Sequence, residues 1–192
     1  MPVFLLSRRG SAGTGLLVMA LLTAMPAPAK EVFTAIRATT AGAPGAVMAR
    51  VSITIDSYTT GDEARELLQA AASGGKEAVA GVLRNLNKGT ATVAGGQRLR
   101  INAARVYPRG TGRRIVIICD RPVAPAPRSQ TLEYPFGVIE LEVDSKGAGD
   151  GQLVEAATVR LDDLGFVEVE RYLISSQLLV EVQMEQTIET KR

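Results

Sequence analysis

One stretch, from Pro135 to Asp163, constrains the fold of this 192-residue chain more than any other. Between Val138 and Asp144, apolar residues alternate with acidic ones, and this period of two places one face of a strand in a core and the other in water. The segment from Ser145 to Gly151 contains three glycines and is typical of a tight turn. Strand character resumes from Gln152 to Leu161. The stretch therefore predicts a β-hairpin to which further strands can add.

Similar alternation recurs along most of the remaining chain. It predicts strands at residues 31–39, 46–58, 90–94, 97–107, 113–121, 166–174 and 177–186. The segment at 113–121 is apolar on both faces at its centre, which favours a central strand covered on both sides. We therefore predict an α+β domain in which about eight or nine mostly antiparallel strands form a strongly curved sheet or a barrel-like meander.

The period changes to that of a helix after the second predicted strand. Thr60 and Glu63 have the spacing of a capping box, and apolar residues then recur at helical spacing as far as Leu86. Ser73-Gly74-Gly75 interrupts this pattern. We therefore predict an αα-hairpin at about residues 60–86 whose apolar stripe packs on the sheet.

The first 29 residues have the features of an export signal. Arg8 and Arg9 precede an apolar run of ten residues at 16–25, and a small-residue cleavage site ends at Ala29. A run of this length is shorter than the roughly 20 residues of a membrane-spanning helix, although a retained membrane anchor is the alternative. The twin arginines leave open whether export uses the twin-arginine or the ordinary secretory route. We expect cleavage after Ala29, one β-rich domain at 30–186 without a transmembrane segment, a flexible tail at 187–192, and a periplasmic or extracellular location.

The residue types exclude most familiar catalytic chemistry. The chain has no histidine, which removes Ser-His-Asp and Cys-His catalysis and the commonest transition-metal ligand. Its single cysteine, Cys119, lies in an apolar run and is typical of a buried small hydrophobic residue. Glu140 and Glu142 share a strand face and could serve a calcium ion, but such pairs are more typical of a solvated face. We predict a non-catalytic protein with no cofactor and no metal site; an enzyme that uses carboxylates alone is the remaining alternative.

Charge is unevenly distributed along the chain. Residues 84–128 contain ten basic residues and one acidic residue, whereas residues 129–189 contain thirteen acidic and three basic residues. Basic strands could lie beside acidic strands and neutralise them across the sheet. Alternatively, the arginines could form a surface for an acidic partner, without any specific nucleic-acid signal. The candidate partner-binding face comprises Arg98, Arg100, Arg113 and Arg114.

Two charged residues fall on the inward side when the strands are counted by twos. They are Arg105 and Glu155, and an unpaired buried charge is costly. We therefore predict that they pair with each other or mark a polar feature of the interior, such as the site of a ligand headgroup. The alternative is a β-bulge near Ala103-Ala104, which would turn Arg105 outward and place Ala104 and Val106 on the inner face.

Three short segments resemble a family of uncharacterised exported bacterial proteins. They are PFGVIEL at 135–141, GRRIV at 112–116, and Asp120-Arg121-Pro122. The likeness extends over most of the chain after residue 29 and implies export, but it implies no activity, ligand or site residue.

Two functional hypotheses follow from the sequence. The first is an exported non-catalytic protein that holds a small apolar or amphipathic ligand in the curved sheet, because the inner strand faces are apolar and catalytic residues are missing. The alternative is a cell-envelope protein–protein interaction module whose Arg-rich face binds an acidic partner.

Overall fold

The computed structural model describes residues 30–38, 49–93, 96–123, 135–172 and 177–185, without the side chain of Tyr172. Within these ranges the chain forms nine strands and one helix. They are β1 (Glu31–Ala38), β2 (Ala49–Ile55), α1 (Gly61–Asn85), β3 (Gly89–Val93), β4 (Gln97–Arg109), β5 (Gly112–Cys119), β6 (Phe136–Val143), β7 (Gly149–Leu161), β8 (Val167–Tyr172) and β9 (Gln177–Glu185). The predicted signal peptide at 1–29 and tail at 187–192 lie outside the described residues.

The strands form a closed antiparallel barrel. They pair in the order β6-β5-β4-β3-β2-β1-β9-β7-β8, and β6 also pairs with β7. This last pairing closes eight strands into a barrel and leaves β8 as an extra strand beside β7. The hairpin predicted from the sequence is β6–β7, paired from Val143 with Gly149 to Phe136 with Ala157. The predicted antiparallel, barrel-like α+β fold is therefore confirmed.

Strand β7 is long enough to serve two pairings along one of its edges. Its first part, Gly149 to Leu153, pairs with β9, and its last part, Ala157 to Leu161, pairs with β8. β8 and β9 thus lie one after the other along β7. Because β9 also pairs with β1, the first and last of the described strands lie side by side in the barrel wall.

Helix α1 packs on the outside of the barrel. It begins at the predicted capping box: the Glu63 N–H donates to Thr60 Oγ1 at 3.3 Å, and the Thr60 N–H donates to Glu63 Oε2 at 2.8 Å. Its buried leucines, Leu67 and Leu83, join a second hydrophobic core on the outer side of the later strands. The strand residues buried in that core are Ala103, Val116, Ile118, Phe136, Val138, Val154, Ala157 and Val167. The predicted two-sided burial of β5 is therefore observed.

The predicted αα-hairpin is replaced by one helical element with a local break. Gly75 alone within Gly61–Asn85 has a non-helical backbone, with φ 62° and ψ −148°. The Ser73-Gly74-Gly75 sequence therefore coincides with the break within α1, at Gly75. None of the helical segments in the described ranges combines the length and apolar character that a membrane-spanning helix requires.

A β-bulge in β4 carries a buried asparagine that forms hydrogen bonds with the end of α1. The pairing of β4 with β5 shifts register between Ile101 and Ala103. Asn102, at the shift, is fully buried, and its Nδ2 donates to the carbonyl oxygens of Leu83 at 2.6 Å and Leu86 at 3.1 Å. Intrahelical N–H partners run out for the last carbonyls of a helix, and the Asn102 amide supplies donors there; the Leu83 carbonyl also accepts from the Leu86 N–H at 3.1 Å.

Candidate functional site

The inside of the barrel is a packed hydrophobic core. Twenty residues, each at most 6% exposed, form it. They are Phe33, Ala35, Val51, Ile53, Ile55, Ala91, Val93, Leu99, Ile101, Ala104, Ile115, Ile117, Cys119, Val123, Ile139, Leu141, Val143, Leu153, Leu179 and Val182. Close packing of this kind means that a ligand inside the barrel would have to displace these side chains.

Arg113, predicted for the partner-binding face, instead points into one end of the barrel. It precedes Ile115 and Ile117 by two and four residues on β5, so the alternation places it on their inward side. Its Nη1 donates to Glu31 Oε1 at 2.9 Å, and the Tyr58 hydroxyl donates to Glu31 Oε2 at 2.7 Å. Burial, followed by this hydrogen bond to Glu31, raises the pKa of the Tyr58 hydroxyl. The inward charged pair of the barrel is thus Arg113 with Glu31, and counting by twos from Ile115 could have found it.

Arg114 also lies away from the predicted face. It points to the outer side that carries the second core, where its Nη2 donates to Glu140 Oε2 at 2.8 Å. Gln152 Nε2 donates to the same oxygen at 2.8 Å, and only 6% of the Glu140 side chain is exposed. A depression of about 210 Å³ lies here and is lined by Tyr107, Arg114, Val116, Glu140, Glu168 and Val169. In this region the basic and acidic strands neutralise each other across the sheet, as the first interpretation of the charge pattern predicts.

Arg98 and Arg100 are the two predicted face residues that the fold brings together. They flank the buried Leu99 on β4, so both point outward, and both are exposed. Among the described residues neither forms an ion pair, whereas every later arginine of β4 and β5 does. Those paired arginines are Arg105 with Asp162, Arg109 with Glu142, Arg113 with Glu31, and Arg114 with Glu140.

Hydroxyl side chains surround these two arginines. In the pairing register Arg100 lies opposite Thr90 and Arg98 opposite Thr92, and the rows continue to Thr54 and Ser52 on β2. We call this surface the open face and define it by the outward side chains Arg50, Ser52, Thr54, Thr90, Thr92, Arg98 and Arg100. The second core beneath α1 includes no residue of β1, β2 or β3 in the described ranges, so α1 covers a different side of the barrel. The hydroxyl rows were overlooked in the sequence, although the alternation along β2 and β3 contains them.

A depression of about 350 Å³ lies at the edge of the open face. It is lined by Thr90, Arg98, Leu99, Arg100, Asp120 and Arg121. Its wall is held to β4 by two hydrogen bonds, from the Arg100 N–H to Asp120 Oδ1 at 3.1 Å and from Arg121 Nη2 to the Arg98 carbonyl at 2.6 Å. Asp120 and Arg121 follow the end of β5, so sequence patterns gave no reason to place them beside Arg98.

Arg105 and Glu155, predicted as an interior pair, are not brought together. The bulge at Asn102 reverses the alternation, so Ala104 and Val106 contact the barrel core and Arg105 points outward, as the alternative predicts. Arg105 forms an ion pair with Asp162 and stacks on the ring of Phe166, whose centroid is 4.1 Å from its guanidinium carbon. The Glu155 carboxylate instead accepts a hydrogen bond from Gln177. The interior-pair prediction was wrong because this register shift reverses the side-chain alternation of β4 before Arg105.

We expect Arg105→Met to destabilise the protein in a way that depends on Asp162 and not on Glu155. Burial alone would raise the pKa of the Asp162 carboxyl, but the Arg105 hydrogen bond and the N–H groups of Phe166 and Leu164 lower it. A lowered pKa means that this stabilisation is present above about pH 4 and is lost as the pH falls through the folded-state value. Urea denaturation of single and double variants should give a coupling of about 0.5–3 kcal/mol for Arg105→Met with Asp162→Asn.

The matched cycle with Glu155→Gln should give additive effects. In addition, Asp162→Asn should flatten the loss of stability on the acid side of pH 4, because asparagine has no proton to gain there. Coupling to Glu155, or an unchanged acid profile in Asp162→Asn, would contradict the observed pairing.

Cys119, Glu140 and Glu142 are the other residues that the sequence suggested for chemistry. Cys119 is fully buried, and burial raises the pKa of its thiol to about 12, so it is not poised as a nucleophile. Glu140 and Glu142, considered for calcium, form ion pairs with Arg114 and Arg109. No group of three or more acidic or cysteine side chains suited to a metal ion occurs in the described part of the chain.

No protein-family model, curated protein or solved structure matches the chain. The resemblance to exported bacterial proteins therefore stays a prediction. The open face and its depression are the features on which a functional proposal can rest.

Proposed function

We propose that this protein is an exported, non-catalytic binding module whose open face docks an acidic partner of the cell envelope. The observation that carries the proposal is the contrast along β4 and β5. Arg98 and Arg100 are exposed without an ion-pair partner among the described residues, while the four later arginines are all paired. Arginine is enriched in protein–protein interfaces, where its planar fork binds carboxylates through two parallel hydrogen bonds.

The neighbouring hydroxyls support the same role. Ser52, Thr54, Thr90 and Thr92 can each donate and accept hydrogen bonds, so they can pair with the backbone of a partner lying across the strands. The open face carries three arginines, Arg50 among them, and no acidic side chain. An acidic partner is therefore attracted, and a basic partner is repelled.

The outside of the barrel supports binding better than the inside. The barrel that the ligand hypothesis requires is present, but twenty buried side chains fill it. Both depressions described above lie on the outer surface. We therefore assign binding to the open face.

Binding to immobilised poly-L-glutamate tests the proposal. This polymer offers the carboxylates of an acidic protein surface without requiring that the partner be known. We expect the association constant of the purified protein to fall steeply between about 50 and 300 mM NaCl, because contacts between exposed charges are screened over roughly 10 Å at 0.1 M salt. An absence of binding at the lowest salt, or an affinity that does not change with salt, would reject the proposed function.

A further inference from the structure

Beyond general attraction of acidic groups, we infer that the depression lined by Thr90, Arg98, Arg100, Asp120 and Arg121 is a site for a phosphate monoester. The inference rests on the proposed function, because it names the chemical group that the open face recognises best. The depression has a volume of about 350 Å³, which is at the lower end of the range of roughly 300–1,000 Å³ for small-molecule sites. A phosphate and part of the group that carries it can therefore occupy the depression.

The charge of the depression suits a dianion. Three arginines and one aspartate line it, which leaves a surplus of two positive charges. Asp120 is 17% exposed, and both of its oxygens are engaged: Oδ1 by the Arg100 N–H at 3.1 Å and Oδ2 by Arg121 Nη1 at 3.4 Å. The Asp120 carboxylate, the only one that lines the depression, is thus hydrogen-bonded to donors of the wall. The guanidinium groups of Arg98 and Arg100 are not paired with it and can bind a ligand. A phosphate monoester carries close to two negative charges at pH 8, because its second pKa is about 6.

The arrangement of donors favours a tetrahedral group over a planar one. Arg98 and Arg100 are two residues apart on one strand face, so their Cα atoms are about 7 Å apart. The Thr90 hydroxyl lies across from Arg100 on the adjacent strand. A carboxylate has two oxygens in one plane and satisfies a single arginine fork, whereas a phosphate monoester has three terminal oxygens that can accept from two forks and a hydroxyl.

Titration with methyl phosphate and with succinate, followed by amide shifts in NMR spectra at pH 8, tests the inference. Both compounds are dianions at this pH, so a difference between them reports geometry and not total charge. We expect methyl phosphate to bind at least about 5-fold more tightly than succinate, because its three oxygens on one phosphorus can accept from both arginine forks and the hydroxyl together, whereas succinate must order a flexible chain to present its two carboxylates. The largest shifts should lie at residues 90, 98–100 and 120–121.

Thr90→Val should weaken methyl phosphate about 2- to 10-fold, the loss expected for one hydrogen bond. Thr92→Val is the matched control, since Thr92 is on the same strand face but does not line the depression. Equal affinities for the two dianions, no binding of methyl phosphate, or equal effects of the two threonine variants would overturn the inference. Binding of the unaltered protein to poly-L-glutamate is measured in parallel: salt-sensitive binding without a preference for methyl phosphate would reject the phosphate site alone, and loss of both would reject the open face. A failed phosphate site is therefore distinguishable from a failed open face.

Discussion

Reversing the charge at both Arg98 and Arg100 to glutamate is expected to reduce binding to poly-L-glutamate by at least about 100-fold at low salt. The two guanidinium groups have no ion-pair partner among the described residues, so they are free to meet carboxylates of a ligand. In the variant, two carboxylates would face those of the ligand, and like charges brought together cost several kcal/mol. Biolayer interferometry on immobilised poly-L-glutamate at about 50 mM NaCl measures the change.

The matched control is the double variant Arg109→Glu, Arg160→Glu. Arg109 and Arg160 are also exposed on strands, and their side chains are 66% and 62% accessible. Each already pairs with a carboxylate, Glu142 and Glu168, so neither is available to a ligand in the same way. The control changes the net charge of the protein by the same amount. If it loses as much affinity as the Arg98 and Arg100 variant, binding follows net charge and not the open face.

Ile117→Ala is expected to destabilise the protein by about 2–5 kcal/mol. Ile117 is fully buried at the middle of β5, where it lies between Ala104 of β4 and Ile139 of β6 in the barrel core. Removal of its outer carbons loses buried apolar contact and leaves a cavity that a closed barrel cannot fully collapse. The measurement is the urea midpoint at an unchanged slope, with Thr92→Ala on the outer face expected to change stability by no more than about 0.5 kcal/mol.

The same two variants test the packing of the barrel. A fluorescent fatty acid should not bind the unaltered protein, because the interior is filled by its own side chains. Uptake of the fatty acid by the unaltered protein would show that the barrel interior opens to ligands, and a loss in Ile117→Ala no larger than that in Thr92→Ala would contradict the close packing of the core around Ile117.

The fold was predictable where its cause is local. Alternation along β6 and β7 and the glycine-rich turn between them specify a hairpin, because successive side chains of a strand point alternately to the core and to solvent. The capping box of Thr60 and Glu63 is equally local and marks the start of α1 to the residue. Gly75 shows the limit of such reasoning. A glycine pair permits a break in a helix, but the way in which the two helical parts then pack depends on the barrel surface beneath them.

The candidate site was predictable only in part. The charge pattern identified six arginines on β4 and β5, but their roles depend on which acids the sheet register brings opposite them. Arg114 meets Glu140 across the β5–β6 pairing, whereas Arg98 and Arg100 face Thr92 and Thr90 on β3. No property of the arginines themselves distinguishes the paired ones from the exposed ones.

By itself, then, the sequence determined the strand faces, the position of the helix and the absence of histidine chemistry, because these depend on residue type and on spacing within a few positions. Tertiary structure alone decided the pairing of β9 with β1 and β7, the outward turn of Arg105 and the meeting of Asp120 and Arg121 with Arg98. The physical reason is that these features depend on contacts between residues distant in sequence. The bulge at Asn102 illustrates this: the Asn102 amide donates to the carbonyls of Leu83 and Leu86 at the end of the helix, and the register shift at the same place reverses the direction of the later side chains on β4.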